Sequence, residues 1–184
     1  IGVSQRHIHL SQQDLETLFG KGYQLTFKKR LMGREFASEE VVTLVGPSLK
    51  SIQNVRVLGP VRKDTQVEIS KTDTFILKVS PPVRPSGQVE GSERIVVVGP
   101  KGSVYLKQGV IIANRHIHLT PEYAEKHGIK DNDYVNVMVY GVKPTKFYDV
   151  QVRVRDDFNV EMHIDTDDAN STGLKNGCLV KIVD

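Results

Sequence analysis

The sequence predicts a mainly β protein built as two small related β-barrels with a few short helices. Two observations carry that reading. Short runs rich in β-branched residues, punctuated by Gly, Pro, Asn or Asp, fill most of the 184 residues, while helical signals are few. The chain also echoes itself: RHIHL stands at residues 6–10 and again at 115–119, each time leading into a short helical pattern. Many short strands with two small helices fit barrels better than a parallel α/β sheet.

The elements follow in order. Ser11 caps a helix over SQQDLETLFGKG, with Asp14 three residues on as its box partner and Gly20 or Gly22 as its stop. Strands are predicted at VVTLVGP, NVRVLGPV, TQVEIS, RIVVVGP, GVIIANRHIHL, YVNVMVY, DVQVRVR and CLVKIVD. Thr120-Pro121-Glu122 opens a second helix, with threonine as cap and proline in the first turn. The segment SPPVRPSGQVEGSE has a linker's composition, yet its place inside the middle portion makes it a candidate functional loop.

Three repeats organise these elements. Strand–RHIHL–short helix occurs twice, as a duplicated half would. HGIKDNDYVNVMV is echoed by TGLKNGCLVKIVD, each with a Gly-aliphatic-Lys turn entering a strand. VGPSLKSIQNVRVLGPVR resembles VGPKGSVYLKQGVIIANR in the same way.

Composition narrows the function. Hydrophobic residues make up 39% and charged residues 26%, with no apolar run long enough for a membrane-spanning helix. The net charge of +3 is too weak to argue for nucleic acid. Cys178 is the only cysteine, so an intrachain disulfide and a thiolate zinc site are both excluded, and a reducing setting is expected. The chain opens on Ile1 rather than Met, so a segment ahead of it, with any targeting signal, is expected to be missing. Lys28, Lys29, Arg30 and Arg34 form a basic run, followed by Arg56, Arg62 and Lys63. It reads equally as a solvated face or as a landing surface for an anionic small molecule.

Of six histidines, four lie in the two RHIHL motifs. On a strand, residues i and i+2 share a face, so His7 and His9 project together while Ile8 and Leu10 turn to the core. His116 and His118 repeat this around Ile117. A lone HxH says little, but the same five residues at the same place in two repeats say more. His163, in VEMHIDTDD, follows a strand-like alternation, and Glu68, in TQVEIS, is an acid ill suited to a core strand. Five imidazoles and one carboxylate suit two zinc ions, with cobalt, nickel or ferrous iron compatible by ligand type. Hydrogen-bonded core histidines are the alternative, and for His127, at a helix end before Gly128, that alternative is preferred. Arg62 lies six residues before Glu68 and suits either a phosphate or carboxylate ligand or a surface salt bridge. Arg84 raises the same pair of readings.

The stretches SQRHIHL, LMGREFASEE, VRVLGPVRKDTQVEIS, PPVRPSG, ANRHIHLTPEYAEKHGI and EMHIDTDDAN together resemble the PduL-type phosphate propanoyltransferases, the phosphotransacylases of bacterial microcompartments. The resemblance runs through nearly the whole chain. It implies two β-barrels with a dinuclear zinc site between them, and exchange of a short acyl group, propanoyl first, between coenzyme A and inorganic phosphate. It implies a central barrel over residues 6–113, with a hairpin insertion near 20–40, and a second barrel over 114–184 joined by the N-terminal strand 1–5. His7, His9 and Glu68 would hold one metal and His116, His118 and His163 the other. Arg62 would bind phosphate and act in catalysis. Coenzyme A would contact Ser4, Lys29, Arg56, Leu58 and Asn170. Acyl-CoA and phosphate are then the expected small-molecule partners, with neither nucleic acid nor membrane. A homo-oligomer is expected in a microcompartment lumen, otherwise in the cytoplasm, serving a pathway such as propanediol degradation. Contact with shell or lumen proteins would run through an N-terminal peptide that these residues lack.

Two other classes use the same residues. A dinuclear zinc hydrolase of thioesterase type would activate water instead of phosphate. The metallo-β-lactamase pattern places an aspartate two residues after HxH, where this chain has Ser11 and Thr120. A non-catalytic module would bind metal and turn nothing over. A phosphate requirement separates the first two, and absence of turnover identifies the third.

Overall fold

Period-two alternation of aliphatic residues builds most of this protein, and its computed structural model describes residues 1–183. Asp184, last residue of the expected strand CLVKIVD, lies outside the described residues. The chain is mainly β and divides into two units, Arg6–Ala113 and Ile1–Gln5 with Asn114–Asp184.

In the unit Arg6–Ala113, β2 (His7–Ser11) is followed by α1 (Gln12–Phe19), β3 (Phe27–Arg30), β4 (Phe36–Val45), β5 (Ser51–Arg62), β6 (Gln66–Glu68), α2 (Lys71–Leu77), β7 (Val83–Arg84), β8 (Glu93–Val98) and β9 (Ser103–Ala113). Strands β4, β5, β2, β6, β9 and β8 pair in that order, and β8 returns to β4, so six strands close a barrel. Closure removes the exposed edge that an open sheet leaves. Hairpin strand β3 extends from β4, and β7 adds to the end of β9. Ile8, Leu10, Leu44, Val55, Val57 and Val110 are fully buried in the interior. Truncating such a leucine to alanine costs about 2–5 kcal/mol.

The other unit repeats the order with β10 (His116–Leu119), α3 (Pro121–Lys126), β11 (Tyr134–Val139), β12 (Thr145–Val154), β13 (Glu161–Asp165), α4 (Thr166–Thr172) and β14 (Val180–Val183). Its sixth strand is β1 (Gly2–Ser4), which pairs with β13 as β9 pairs with β6, parallel in both cases. The sheet runs β1-β13-β10-β12-β11-β14. Among the described residues, the seam from β14 to β1 carries no ladder; the Gly177 N–H donates to the Ile1 carbonyl at 2.9 Å and the Val3 N–H to Asn176 Oδ1 at 2.6 Å. The expected pair of related barrels is thus one closed barrel and one open, barrel-like sheet. Ile117, Leu119, Val137, Val139, Val150 and Met162 fill the second core.

Duplication is visible in the ladders. Each RHIHL strand sits between one parallel and one antiparallel neighbour, β5 and β6 for β2, and β12 and β13 for β10. After α3 and after α4, Gly128 and Gly173 take φ of 65° and 72°, the left-handed turn that L side chains disfavour. The two Gly-aliphatic-Lys echoes are therefore helix stops, and the strands they open, β11 and β14, pair with each other.

Helix capping follows the sequence only in part. Ser11 Oγ accepts from the Asp14 N–H at 3.2 Å and Thr120 Oγ1 from the Tyr123 N–H at 3.2 Å, as expected. Asp14 does not complete a box: the Ser11 N–H donates to Thr65 Oγ1, whose hydroxyl donates to the Asp14 carboxylate. Two helices were not anticipated. A full box of Ser70 and Asp73 starts α2, and Asp165 caps α4. Both are seven residues long, and their sequences lack a resolvable 3.6-residue period.

Candidate metal centres

Ladder register brings each RHIHL pair to a third donor. His7 lies directly opposite Glu68, and His116 directly opposite His163. Adjacent β-strand alternation adds His9 and His118 on the same faces. In each triad one donor atom per residue lies within 4.8 Å of the others. The imidazoles pack edge to face, with ring centroids 5.2 Å apart for His7–His9 and 4.8 Å for His116–His118. All six residues singled out in the sequence therefore converge, three per unit.

The donor sets fit divalent metal. His9 Nδ1 and His118 Nδ1 are buried with no hydrogen-bond partner. These two rings hold the same place in the two repeats. An orphaned buried ring nitrogen costs about 1–3 kcal/mol, a penalty that a ligated ion lifts. Burial first, and then the neighbouring histidines and arginines, push both rings down to about 2, which keeps them in the neutral form that ligates. Burial alone would raise Glu68; the His7 and His9 rings and the Ser86 hydroxyl outweigh it and hold the carboxyl well below the usual range. Its Oε2 lies 3.4 Å from His7 Nε2. The His116 Nδ1–H donates to the Asn114 carbonyl at 3.1 Å, which leaves Nε2 with the lone pair. In unfolded chain His9 and His118 protonate near 6.5, so below that pH the unfolded state takes up protons that the folded state refuses. Metal-free protein should accordingly be fully stable above pH 6.5 and lose stability as the pH falls below it. Between pH 7.5 and 5.5 the loss is about 1.4 kcal/mol per histidine, read from urea midpoints. A midpoint that does not move would show that these rings are not held neutral.

The arginine of each motif also has a repeated role, one that its spacing does not reveal. Arg6 Nε donates to Asp73 at 2.9 and 3.0 Å, and Arg115 donates through Nε and Nη2 to Asp168 at 2.7 and 2.8 Å. Each aspartate is the third residue of the helix that follows the third ligand's strand, α2 or α4. Fork-to-carboxylate pairing ties the start of the ligand strand to the helix cap. The signal available in the sequence was S/D-x-x-D starting on the last residue of TQVEIS and of VEMHID, Ser70 and Asp165.

Arg62 ends β5 and is paired on two sides. Its Nη2 donates to Glu35 at 2.5 Å and its Nη1 to Ser86 Oγ at 3.2 Å. Ser86 Oγ donates in turn to Glu68 Oε1 at 3.0 Å, so one hydroxyl separates the guanidinium from the carboxylate of the first triad. The linker-like segment supplies that serine. Arg84 instead donates to the Glu90 carbonyl, and His127 stacks on Tyr123 with its Nδ1–H on the Tyr123 carbonyl. Each thus has a backbone carbonyl as a partner, as the structural role preferred for His127 would have it.

The expected coenzyme A residues fall in both units, Lys29, Arg56 and Leu58 in one and Ser4 and Asn170 in the other. Arg56 and Leu58 lie opposite His7 and His9 across β5. Arg56 Nη1 is already bonded to the carbonyls of Ser38 and Glu39. Lys29 stands on β3, all of whose residues are exposed, beside Lys28 paired with Glu39 at 2.7 Å. Ser4 pairs with Asp165, the cap of α4, which carries exposed Asn170. The Cys178 sulfur accepts from the Lys175 N–H at 3.4 Å in the turn before β14. No helix among the described residues is long and apolar enough to cross a membrane.

A family model described as phosphate propanoyltransferase matches residues 1–175. Phosphate propanoyltransferases of Lachnoclostridium phytofermentans and Thermotoga maritima are 54% and 56% identical over the whole of this chain and 86% and 88% of their own lengths. That of Clostridioides difficile is 45% identical over 100% of the chain and 88% of its length. With a family model matching residues 1–175 and relatives 45–56% identical across the whole chain, the chain belongs to the phosphate propanoyltransferase family.

Proposed function

We propose that this protein is a phosphate acyltransferase that moves a short acyl group, propanoyl first, between coenzyme A and inorganic phosphate, with one zinc ion in each triad. The duplicated set of converging donors, with an orphaned buried nitrogen at the same place in each, is the observation that carries the reading. Family membership supports the reaction.

In the forward direction a phosphate oxygen forms a bond to the thioester carbon, the carbon–sulfur bond breaks, and coenzyme A leaves as thiolate. His7, His9 and Glu68 would hold one ion and His116, His118 and His163 the other, and bound zinc would supply positive charge to offset the repulsion between anionic reactants. Arg62 binds the phosphate: its planar donors match two phosphate oxygens, and Ser86 fixes the guanidinium. Attack is direct, with no acyl-enzyme on Cys178. Lys29, Arg56, Leu58, Ser4 and Asn170 are the proposed coenzyme A contacts. A homo-oligomer in a microcompartment lumen, entered through a leading peptide and serving propanediol degradation, belongs to the same proposal.

Coenzyme A release from propanoyl-CoA tests the reaction, measured with and without phosphate on metal-loaded and chelator-stripped protein. Release that needs both phosphate and metal, with acyl phosphate trapped by hydroxylamine, is expected. Release without phosphate would make the protein a thioesterase; no release would leave a metal-binding module.

A further inference from the structure

The residue opposite the second histidine of each motif is Gln66 in one unit, facing His9, and Glu161 in the other, facing His118. Each lies two residues before the third ligand on the same strand, so both side chains emerge on the ligand face. Gln66 Nε2 donates to Glu68 Oε1 at 2.6 Å, and Glu161 Oε1 accepts from His163 Nε2 at 2.9 Å. Polarity is crossed between the repeats. Where the third ligand is a carboxylate, its neighbour is an amide donor; where the third ligand is an imidazole, its neighbour is a carboxylate acceptor.

We infer that Gln66 and Glu161 are the positioning residues of the two metal centres, matched in polarity to the ligand each serves. This rests on the metal reading above. Gln66 is buried, and its amide cannot be turned round: Oε1 accepts from the Gly87 N–H at 2.7 Å while Nε2 also donates to Ser86 Oγ at 2.8 Å. Only an N–H therefore faces Glu68, and it restrains one carboxylate oxygen. Glu161 is not itself among the converging donors of its triad. A carboxylate can only accept from the ring, so it holds the proton on His163 Nε2 and leaves Nδ1 with the lone pair. Space is kept for this pair. A Cβ on Gly2 would stand 2.8 Å from Glu161 Oε1 and 3.1 Å from His163 Nε2, whereas Ile111 occupies the corresponding place beside Glu68.

Zinc titration of the stripped full chain against a chromophoric chelator tests the inference, since it reads affinity and number of ions without turnover. The parent should take up two equivalents. Gln66→Met, close in volume but without a donor, should weaken one equivalent about 10- to 100-fold and leave the other alone. Glu161→Leu should do the same to one equivalent, and the double variant should weaken both. Glu161→Gln keeps an oxygen that accepts from Nε2–H and should recover most of the affinity. Thermal unfolding of the metal-free forms controls for the fold. Variants that bind both ions within about two-fold of the parent would overturn the inference while the metal reading stands. So would a Glu161→Gln form as weak as Glu161→Leu, which would make Glu161 a ligand. A parent that takes up no zinc would refute the metal reading, and the inference with it.

Discussion

Alanine at His118 should reduce bound zinc from two ions to one per chain and lower acyl transfer at least about 1,000-fold. The same should hold for His9→Ala at the other centre. The magnitude follows from what the ions do: withdrawing a few kcal/mol of positive charge from a reaction between anions costs a factor of ten for every 1.36 kcal/mol. Neither change should unfold the metal-free protein. His118 Nδ1 and His9 Nδ1 are orphaned when no ion is bound, so truncation relieves a buried unpaired polar atom, which offsets part of the cost of the space it leaves. The metal-free variants should therefore melt within a few degrees of the metal-free parent. Only the parent should gain the full rise in melting temperature when zinc is added, because ligand binding to the native state stabilises it by mass action. A His118→Ala protein that retains two ions and full turnover would remove His118 from the site.

Much of this candidate site could be read from the sequence because its converging donors follow strand periodicity. His7 and His9, or His116 and His118, declare a shared face by spacing alone, and Glu68 stands out as an acid between valine and isoleucine. The partners of those residues could not be read in the same way. Gln66 and Glu161 share a strand face with Glu68 and His163 two residues on, but that spacing does not say which way an amide or a carboxylate turns. For Gln66 the orientation is set by Gly87 and Ser86, which come from a distant segment. Ser86 reaches Glu68 from a segment eighteen residues further on with a linker's composition. Arg6 and Arg115 meet their aspartates on helices too short to show a period, with threonines that favour strand. Barrel closure was hidden for a like reason. It depends on β8 finding β4, across an interval that contains β5, β6, α2 and β7.

Removing the Arg62 guanidinium should spare the metals and damage the use of phosphate. With Arg62→Ala, kcat/KM for phosphate should fall about 100- to 1,000-fold, the loss of two charge-assisted hydrogen bonds to an oxyanion. Zinc stoichiometry should stay at two, because Ser86 keeps its bonds to Gln66 and Glu68 when Arg62 is gone. Arg62→Lys should recover little, since one ammonium cannot hold Ser86 and present a planar pair of donors at once. Glu35 gives the experiment its second arm. Its carboxylate takes one Nη2 bond on the guanidinium, and the two side chains are 41% and 30% exposed, so the pair is worth at most about 1 kcal/mol. An incoming phosphate must share or displace that carboxylate. Glu35→Gln should then leave the fold intact and lower KM for phosphate by up to about five-fold, with kcat nearly unchanged. If instead Glu35→Gln cut kcat as severely as Arg62→Ala, Glu35 would be aligning the guanidinium for reaction and not competing for it. And if Arg62→Ala lost zinc, the arginine would belong to the metal centre's support and phosphate would need another anchor.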